Sequence, residues 1–146
     1  MQVDVVAPTY GTVIGTKGGS IWINIHVQDI HTVHAPFDAS ITKVNAAPVG
    51  TYTAPKGEIG RVFVDMVSLQ NPAVTAQLML EVGTPLYVTD RIRLRIPRSM
   101  TVRRGQYMGE ILLGSLSTLT LSGEGVWLVR KGDALIGGET LIATLQ

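Results

Sequence analysis

The stretch that decides the fold class is Ile21-Trp22-Ile23-Asn24-Ile25-His26-Val27-Gln28, in which an aliphatic residue occupies every second position. Successive side chains of a strand point to opposite faces, so this period of two predicts a strand with one buried face. Residues 74–82 and 91–96 alternate in the same way. Further β-rich runs, separated by Gly, Pro and Asp turns, cover residues 62–67, 110–113, 116–121, 126–129 and 140–145. No convincing 3.6-residue period extends beyond about two helical turns, so the sequence predicts an all-β fold.

Composition narrows the class of protein further. Of the 146 residues, 45% are hydrophobic and 16% charged, which excludes a disordered or low-complexity chain. The net charge of +1 offers no global attraction to nucleic acid or to an anionic membrane. The absence of cysteine excludes disulfides, thiolate metal sites and a cysteine nucleophile. We expect a single β domain over residues 1–146.

No targeting signal can be read from the sequence. No apolar run approaches the roughly 18 residues that span a bilayer, and no secretory signal is visible at the N-terminus. We therefore expect a cytoplasmic or virion location.

Two internal repeats indicate a duplicated architecture. Ala7-Pro8-Thr9-Tyr10-Gly11-Thr12-Val13 is echoed by residues 35–41, and Val102-Arg103-Arg104-Gly105-Gln106 by residues 129–133. Strand starts led by proline and basic glycine turns are typical of a barrel-sandwich hybrid, the architecture of biotinyl and lipoyl carrier domains. A carrier needs a lysine at an exposed hairpin tip, and none of the four lysines has that Met-Lys-Met-like setting. We therefore expect a duplicated barrel-sandwich-hybrid-like domain that is not a carrier.

Three segments in the same order resemble the phosphatidylserine decarboxylase family. Residues 25–36 resemble its strand followed by Asp-x-His and His-x-Pro, and residues 105–115 its self-cleavage segment ending in Gly-Ser. The tail, residues 126–145, is similar to its closing segment with Lys-Gly-Asp and Gly-Glu-Thr. The resemblance runs from about residue 5 to the end of the chain and implies that family's β fold.

The resemblance also implies a self-processing chemistry. In the family the serine after the glycine attacks the preceding carbonyl, splits the chain and becomes a pyruvoyl group. That group binds the substrate amine and acts as the electron sink for loss of carbon dioxide. Ser115, after Gly114, occupies the serine position, and His34 would be the base that activates it.

One expected group is missing from this constellation. The carboxylate that orients the base belongs to a Pro-x-Asp-Gly turn, which here reads Pro8-Thr9-Tyr10-Gly11, with Tyr10 in place of aspartate. Without a carboxylate we expect the imidazole to be neither fixed in its tautomer nor stabilised when charged, at a cost of several powers of ten in rate. Asp38 occupies the corresponding place in the second repeat.

His26, Asp29, His31 and His34 lie within nine positions, so a zinc site is one alternative. The other is packing and hydrogen bonding within the strand and the turn that follows it. We expect the second, and therefore no metal.

Arg91, Arg93 and Arg95 are predicted to project from one face of a strand. They fit either a solvated edge strand, whose like charges deter aggregation, or a surface that meets an anionic partner. We keep them as interface candidates. Because aromatic residues are few and scattered, we do not expect a nucleic-acid partner.

Two functional hypotheses follow. The first is a non-catalytic structural or assembly subunit with this fold, a homo-oligomer or one subunit of a larger particle such as a virus, without a cofactor. The second is a pyruvoyl-dependent phosphatidylserine decarboxylase, self-cleaved between Gly114 and Ser115 and acting at a phospholipid membrane. The missing carboxylate, a barrel pattern that begins almost at Met1 and a missing aromatic-arginine-aspartate-proline segment lead us to expect the first.

Overall fold

The computed structural model describes residues 2–45, 49–52, 60–82, 92–111 and 115–146. Every regular element in these residues is a strand, and they contain no helix. The strands are β1 (Val3–Val6), β2 (Gly11–Lys17), β3 (Ser20–Ile25), β4 (Thr32–His34), β5 (Ala39–Val44), β6 (Val49–Tyr52), β7 (Gly60–Ser68), β8 (Thr75–Val82), β9 (Ile92–Arg95), β10 (Thr101–Val102), β11 (Tyr107–Ile111), β12 (Ser115–Ser122), β13 (Gly125–Trp127), β14 (Ala134–Leu135) and β15 (Leu141–Leu145). The predicted all-β fold class is confirmed.

The alternating stretches form strands, but the first of them is shorter than predicted. Ile21, Ile23 and Ile25 are buried as expected, and β3 ends at Ile25. A turn follows, in which an Asp29 carboxylate oxygen accepts the His26 N–H at 2.9 Å and the Asp29 N–H donates to the His26 carbonyl at 3.0 Å. Because of this turn Val27, predicted to be buried, is 73% exposed.

The largest sheet has eight strands in the order β10-β5-β7-β8-β12-β3-β2-β14. Strand β12 lies inside it and is paired along its whole length with β8, from Ser115 opposite Val82 to Ser122 opposite Thr75. On its other side β12 pairs with β3, from Ser115 opposite Ile25. The start of β12 is therefore held by a strand on each side.

Two smaller sheets complete the described part of the fold. One has the order β4-β11-β9-β6 and the other β1-β15-β13. The largest fully buried side chains come from all three sheets and the loops between them: Phe37, Ile21, Ile23, Ile25, Met66, Leu78, Leu80, Ile92, Met108, Ile111, Leu119 and Ile142. Each such side chain contributes about 1.5–3 kcal/mol by leaving water.

The first pair of sequence repeats forms reciprocal contacts. The Val6 N–H donates to the Pro36 carbonyl at 2.9 Å, and the His34 N–H donates to the Pro8 carbonyl at 2.7 Å. These bonds are equivalent under the repeat, because Val6 corresponds to His34 and Pro8 to Pro36. The halves of the fold therefore meet at the segment that carries His34. The finer assignment to a barrel-sandwich hybrid stays a prediction.

The second pair of repeats forms two turns of the same design. The Gln106 N–H donates to the Arg103 carbonyl at 2.9 Å, and the Asp133 N–H donates to the Arg130 carbonyl at 3.0 Å. In each turn the side-chain oxygen of the last residue accepts the N–H of the first, at 2.9 Å. The third residue of each is a glycine, with φ of +83° and +94°, a conformation that side chains strongly disfavour.

A buried pair of hydroxyls joins the first repeat to β12. The hydroxyls of Thr9 and Ser117 are 2.8 Å apart, and both residues are fully buried. A buried hydroxyl without a partner is costly, so the two groups satisfy one another. This contact ties the turn that contains Tyr10 to the strand that begins at Ser115.

We expect Gly109→Ala to lower the free energy of unfolding by about 3 kcal/mol or more. Gly109 has φ of +153°, and a Cβ there would overlap the Arg93 carbonyl oxygen across the β11–β9 pair. Gly15→Ala in β2 is the matched control, because a Cβ there meets nothing within 4 Å; its effect should stay within about 0.5 kcal/mol. Urea unfolding followed by circular dichroism, with Ser115→Ala present so that the chain stays in one piece, measures both. A Gly109→Ala chain as stable as the control would contradict the β11–β9 pairing.

Thr9→Val should cost about 1–3 kcal/mol, because it leaves the Ser117 hydroxyl buried without a partner. The double variant Thr9→Val/Ser117→Ala should recover most of this loss, since both polar groups are then removed. The same unfolding measurement gives the coupling between the two sites. Losses that simply add would show that the hydroxyls do not depend on each other.

Candidate active site

The histidines that the motif singled out lie in the loop between β3 and β4 and, for His34, at the end of β4. After the turn at Asp29 the chain passes His31 and enters β4, which pairs with β11. The His31 carbonyl accepts the Ile111 N–H at 2.8 Å, at the end of β11. The path from Ile111 to Ser115 therefore starts beside His31 and ends opposite Ile25. Strand β3 pairs with β12, and β4 pairs with β11. The histidine loop, residues 26–31, and the cleavage segment, residues 112–114, therefore each connect one of these pairs of strands to the other.

His31 has one free ring nitrogen inside the protein. Its Nδ1 lies 2.6 Å from the Asp29 carbonyl oxygen, which can only accept, so Nδ1 carries the proton. Its Nε2 is buried and makes no hydrogen bond to any described residue. In the neutral ring this nitrogen carries a lone pair that has no hydrogen-bond partner among the described residues. A group that transfers a proton to or from a bound molecule needs such a free atom.

His34 is held at both ring nitrogens. Nδ1 donates to the Gly105 carbonyl at 2.9 Å. Nε2 lies 2.8 Å from the Thr32 hydroxyl, from which the neutral ring accepts. The prediction that the imidazole lacks a fixed tautomer without a carboxylate at position 10 is therefore wrong: a backbone carbonyl fixes it. Position 10 could not reveal this, because the acceptor is a backbone atom 71 residues away from His34 along the chain.

The remaining neighbours of His34 pack against its ring. Tyr10 and Tyr107 approach it edge-on, each with ring centroids 6.4 Å from that of the imidazole. Gly138 lies against the same ring, since a Cβ there would come within 2.9 Å of Nδ1. Neither ring nitrogen is bonded to Tyr10, so the tyrosine fills space and leaves the orientation to Gly105.

Ser115 is the first residue of β12, but its side chain lies outside the described residues, as does Gly114 entirely. Contact between the Ser115 hydroxyl and His34 therefore stays a prediction. The described backbone places Ser115 between Ile25 on β3 and Val82 on β8.

Asp38, the carboxylate of the second repeat, does not touch His34. Its Oδ1 accepts the Arg104 N–H at 2.7 Å. Arg104 belongs to the turn of residues 103–106 that presents the Gly105 carbonyl. Nothing in the sequence indicated this contact, although Asp38 itself was recognisable from the repeat.

The outer face of the four-stranded sheet is polar and includes His34. On β9, Ile92 and Leu94 are buried, while Arg93 is half-buried and Arg95 exposed. Arg91 lies outside the described residues. Because β9 lies between β11 and β6, the edge-strand explanation is wrong for Arg93 and Arg95. They share the sheet face of His34 instead.

Tyr107 connects His34 to these charges. Desolvation raises the pKa of its hydroxyl above the ordinary value of 10.0, the neighbouring Glu110 carboxylate raises that pKa further, and Arg95 opposes the shift. The Arg95 Nε lies 4.0 Å from a Glu110 carboxylate oxygen. The phenol therefore stays protonated at neutral pH and can donate. Tyr107 was missed from the sequence because its role depends on the cross-strand pair with His34.

The described residues contain no group of three or more His, Asp or Glu side chains placed to hold a metal ion. The Asp29 carboxylate is used by the His26 N–H instead. Within the same residues no helix is long and apolar enough to cross a membrane.

Comparison with known proteins finds one matching family and several similar curated proteins. The sequence model of the family described as Phosphatidylserine decarboxylase matches residues 9–143. A protein of Methanosarcina barkeri named an archaetidylserine decarboxylase proenzyme is 27% identical over 97% of this chain and 68% of its own length. Proteins of the same name from Methanosarcina mazei and Methanosarcina acetivorans are each 25% identical over 97% of this chain and 66% of their own length.

The chain thus spans about two thirds of the length of these curated relatives. No solved structure matches significantly. The family match covers most of the sequence, including the histidine loop and the Gly114-Ser115 step. This chain belongs to the phosphatidylserine decarboxylase family.

Proposed function

We propose that this protein is a self-processing, pyruvoyl-dependent decarboxylase of serine phospholipids. The observation that carries the proposal is the buried Nε2 of His31, which has no partner among the described residues, in a residue whose carbonyl binds the last N–H of β11. Family membership supports the same chemistry.

Self-processing begins in this proposal with Ser115. Its hydroxyl attacks the carbonyl carbon of Gly114 and passes its proton to Nε2 of His34, and the amide bond between Gly114 and Ser115 breaks as the ester forms. Elimination of that ester separates the two chains, and hydrolysis with loss of ammonia leaves the pyruvoyl group. The proton transfer to His34 requires Thr32, which holds Nε2 at 2.8 Å, to give way. The ring is oriented for the task, because Nδ1 is engaged by Gly105 and the lone pair of the neutral ring is on Nε2.

The fold accounts for how residues 115–146 would stay in place after cleavage. Strand β12 is paired with β3 and β8, β15 with β1, and β14 with β2. These ladders join the C-terminal part to the rest of the fold along three strands. The new terminus would therefore remain beside the histidine loop.

In this proposal the pyruvoyl group would form at position 115, between Ile25 on β3 and Val82 on β8. When formed, it supplies a carbonyl that withdraws the electrons left behind by carbon dioxide. His31 would supply proton transfer there: its Nε2 would take up a proton from water and pass it to the carbon that has lost the carboxyl group. Proton transfer by a positioned group typically contributes about 10²–10⁴ in rate.

The substrate class follows from what the named relatives share. The family description names phosphatidylserine, and the names of the relatives contain archaetidylserine. Both are lipids that carry a phosphoserine headgroup. Arg93 and Arg95, on the sheet face of His34, would meet the phosphate of such a headgroup. A phospholipid membrane is then the partner of this protein.

The competing hypothesis is the non-catalytic assembly subunit. Of the three sequence features that favoured it, the missing carboxylate at Tyr10 concerns the catalytic group itself, and the Gly105 carbonyl supplies the orientation that was expected to be lost. The comparisons favour the decarboxylase, and nothing in them points to a viral particle. Homo-oligomerisation through the arginine face and a cytoplasmic location stay predictions.

The purified wild-type chain should separate into residues 1–114 and 115–146, because Ser115 cleaves the bond before it. Ser115→Ala should remain one chain near 15.7 kDa. Ser122→Ala, at the exposed far end of the same strand, is the matched control and should cleave as the wild type does. Intact mass spectrometry distinguishes these outcomes. A wild-type chain that stays in one piece after prolonged incubation with lipid vesicles would favour the assembly subunit.

His31→Gln should cleave like the wild type yet release carbon dioxide from serine phospholipids about 10²–10⁴ times more slowly. Glutamine keeps a side chain of similar reach but cannot transfer the proton. Carbon dioxide release from vesicles containing phosphatidylserine or archaetidylserine measures the loss, with mass spectrometry confirming cleavage. Equal turnover in the variant and the wild type would exclude His31 from the reaction.

A further inference from the structure

We propose that Asp38 is the positioning residue of His34. Through the turn of residues 103–106 it holds the Gly105 carbonyl against Nδ1, and so keeps the imidazole proton on that atom. It takes over the task of the carboxylate that Tyr10 replaces. The use of His34 as a base rests on the proposed function, whereas the orienting contact does not.

The first step of the argument is the acceptor itself. A carbonyl oxygen can only accept, so its 2.9 Å contact with Nδ1 determines the protonated nitrogen. The other contact of the ring, to the Thr32 hydroxyl, imposes no tautomer, because a hydroxyl both donates and accepts. The tautomer therefore depends on the position of one backbone oxygen.

The second step is what holds that oxygen. The Gly105 N–H donates to the Ala35 carbonyl at 2.8 Å, and the Ala35 N–H donates to the Gln106 carbonyl at 2.9 Å. The Asp38 carboxylate accepts the Arg104 N–H at 2.7 Å, a short charge-assisted bond. Because glycine has more backbone freedom than any other residue, these bonds are what keep the Gly105 carbonyl directed at the ring.

The third step is that Asp38 and His34 grip the same turn from one short segment. Residues 34–38 contribute the imidazole, the Ala35 backbone and the carboxylate. Asp38 is itself anchored, since its carbonyl accepts the Leu69 N–H at 2.9 Å. Residues 34–38 and the turn of residues 103–106 thus form a clamp: the His34 ring binds the Gly105 carbonyl, the Ala35 backbone binds Gly105 and Gln106, and the Asp38 carboxylate binds the Arg104 N–H.

The fourth step is the repeat. Asp38 occupies in the second repeat the place that Tyr10 has in the first. A carboxylate is therefore present at the equivalent position of the second repeat, where it binds the turn of residues 103–106 and not the ring of His34. Tyr10 keeps only an edge-on contact, with ring centroids 6.4 Å apart.

The fold supplies a matched control for this clamp. Asp133 accepts the Arg130 N–H at 2.9 Å in the sister turn of residues 130–133, whose Gly132 N–H donates to Val13. The bond is of the same kind in a turn of the same design, but none of its described contacts involves His34. Asp38→Ala and Asp133→Ala should lower the free energy of unfolding by similar amounts, but only Asp38→Ala should change the tautomer of the His34 ring.

The direct test is the tautomer of His34 in the full chain carrying Ser115→Ala, which needs no activity. Long-range proton–nitrogen NMR spectra distinguish the two neutral tautomers when recorded well above the midpoint of the His34 titration. His34→Gln identifies the signals. We expect the Nδ1–H form in the parent, in Asp38→Asn, whose amide oxygen still accepts, and in Asp133→Ala. Asp38→Ala should show a mixture or the Nε2–H form.

A pure Nδ1–H form in Asp38→Ala would overturn the proposal. So would an equal change in Asp133→Ala, which would mean that any loosened turn has the effect. A wild-type chain that never cleaves would refute the proposed function and leave this spectroscopic test valid.

Cleavage rates in the otherwise wild-type chain add the functional consequence. Asp38→Ala should slow the separation of residues 1–114 from 115–146 by about a hundredfold, since misplacement of a catalytic group costs that order. Asp38→Asn, Asp133→Ala and Tyr10→Phe should stay within about threefold of the wild type, because each preserves the contacts to Nδ1. A hundredfold loss in Tyr10→Phe would return the orienting role to position 10 and contradict the assignment to Asp38.

Discussion

The hydrogen bond from Nδ1 of His34 to the Gly105 carbonyl is the contact on which the site depends. It joins the histidine segment to a turn 71 residues further along the chain. The Gly105 N–H donates to the Ala35 carbonyl at 2.8 Å. The Gly138 N–H donates at 2.7 Å to the carbonyl of Ala7, the residue that corresponds to Ala35 in the first pair of repeats. One contact of the duplicated fold is thereby used for packing, whereas its equivalent also orients a functional ring.

Local pattern predicted the strands well, because burial of one face imposes a period of two wherever a strand covers a core. Thr75–Val82 and Ile92–Arg95 lie inside the predicted runs. The pattern failed at Val27, where an aspartate three residues after His26 ends the strand through its own side chain. The interior position of β9 could not be predicted either, since it depends on pairing with strands far away in the sequence.

The site was predictable as far as side-chain identities carry chemistry. His34 and Ser115 follow from the motif, and Asp38 from the repeat. Gly105 and Thr32 could not be predicted, because one acts through its backbone oxygen and the other through a same-face contact within β4. The expectation drawn from Tyr10 failed for the same reason: a missing carboxylate shows that one acceptor is gone, not that no acceptor is present.

A carbonyl and a carboxylate are nevertheless unequal partners. Both fix the tautomer, but hydrogen bonds to an ionised group are roughly twice as strong, so a carboxylate stabilises the imidazolium more. Self-cleavage here is therefore expected to be slower than with an aspartate at position 10. In the proposed function, cleavage would happen only once in the life of each molecule, whereas decarboxylation would be repeated and would use His31, whose ring is held by the Asp29 carbonyl. The substitution thus falls on the step where a lower rate costs the protein least.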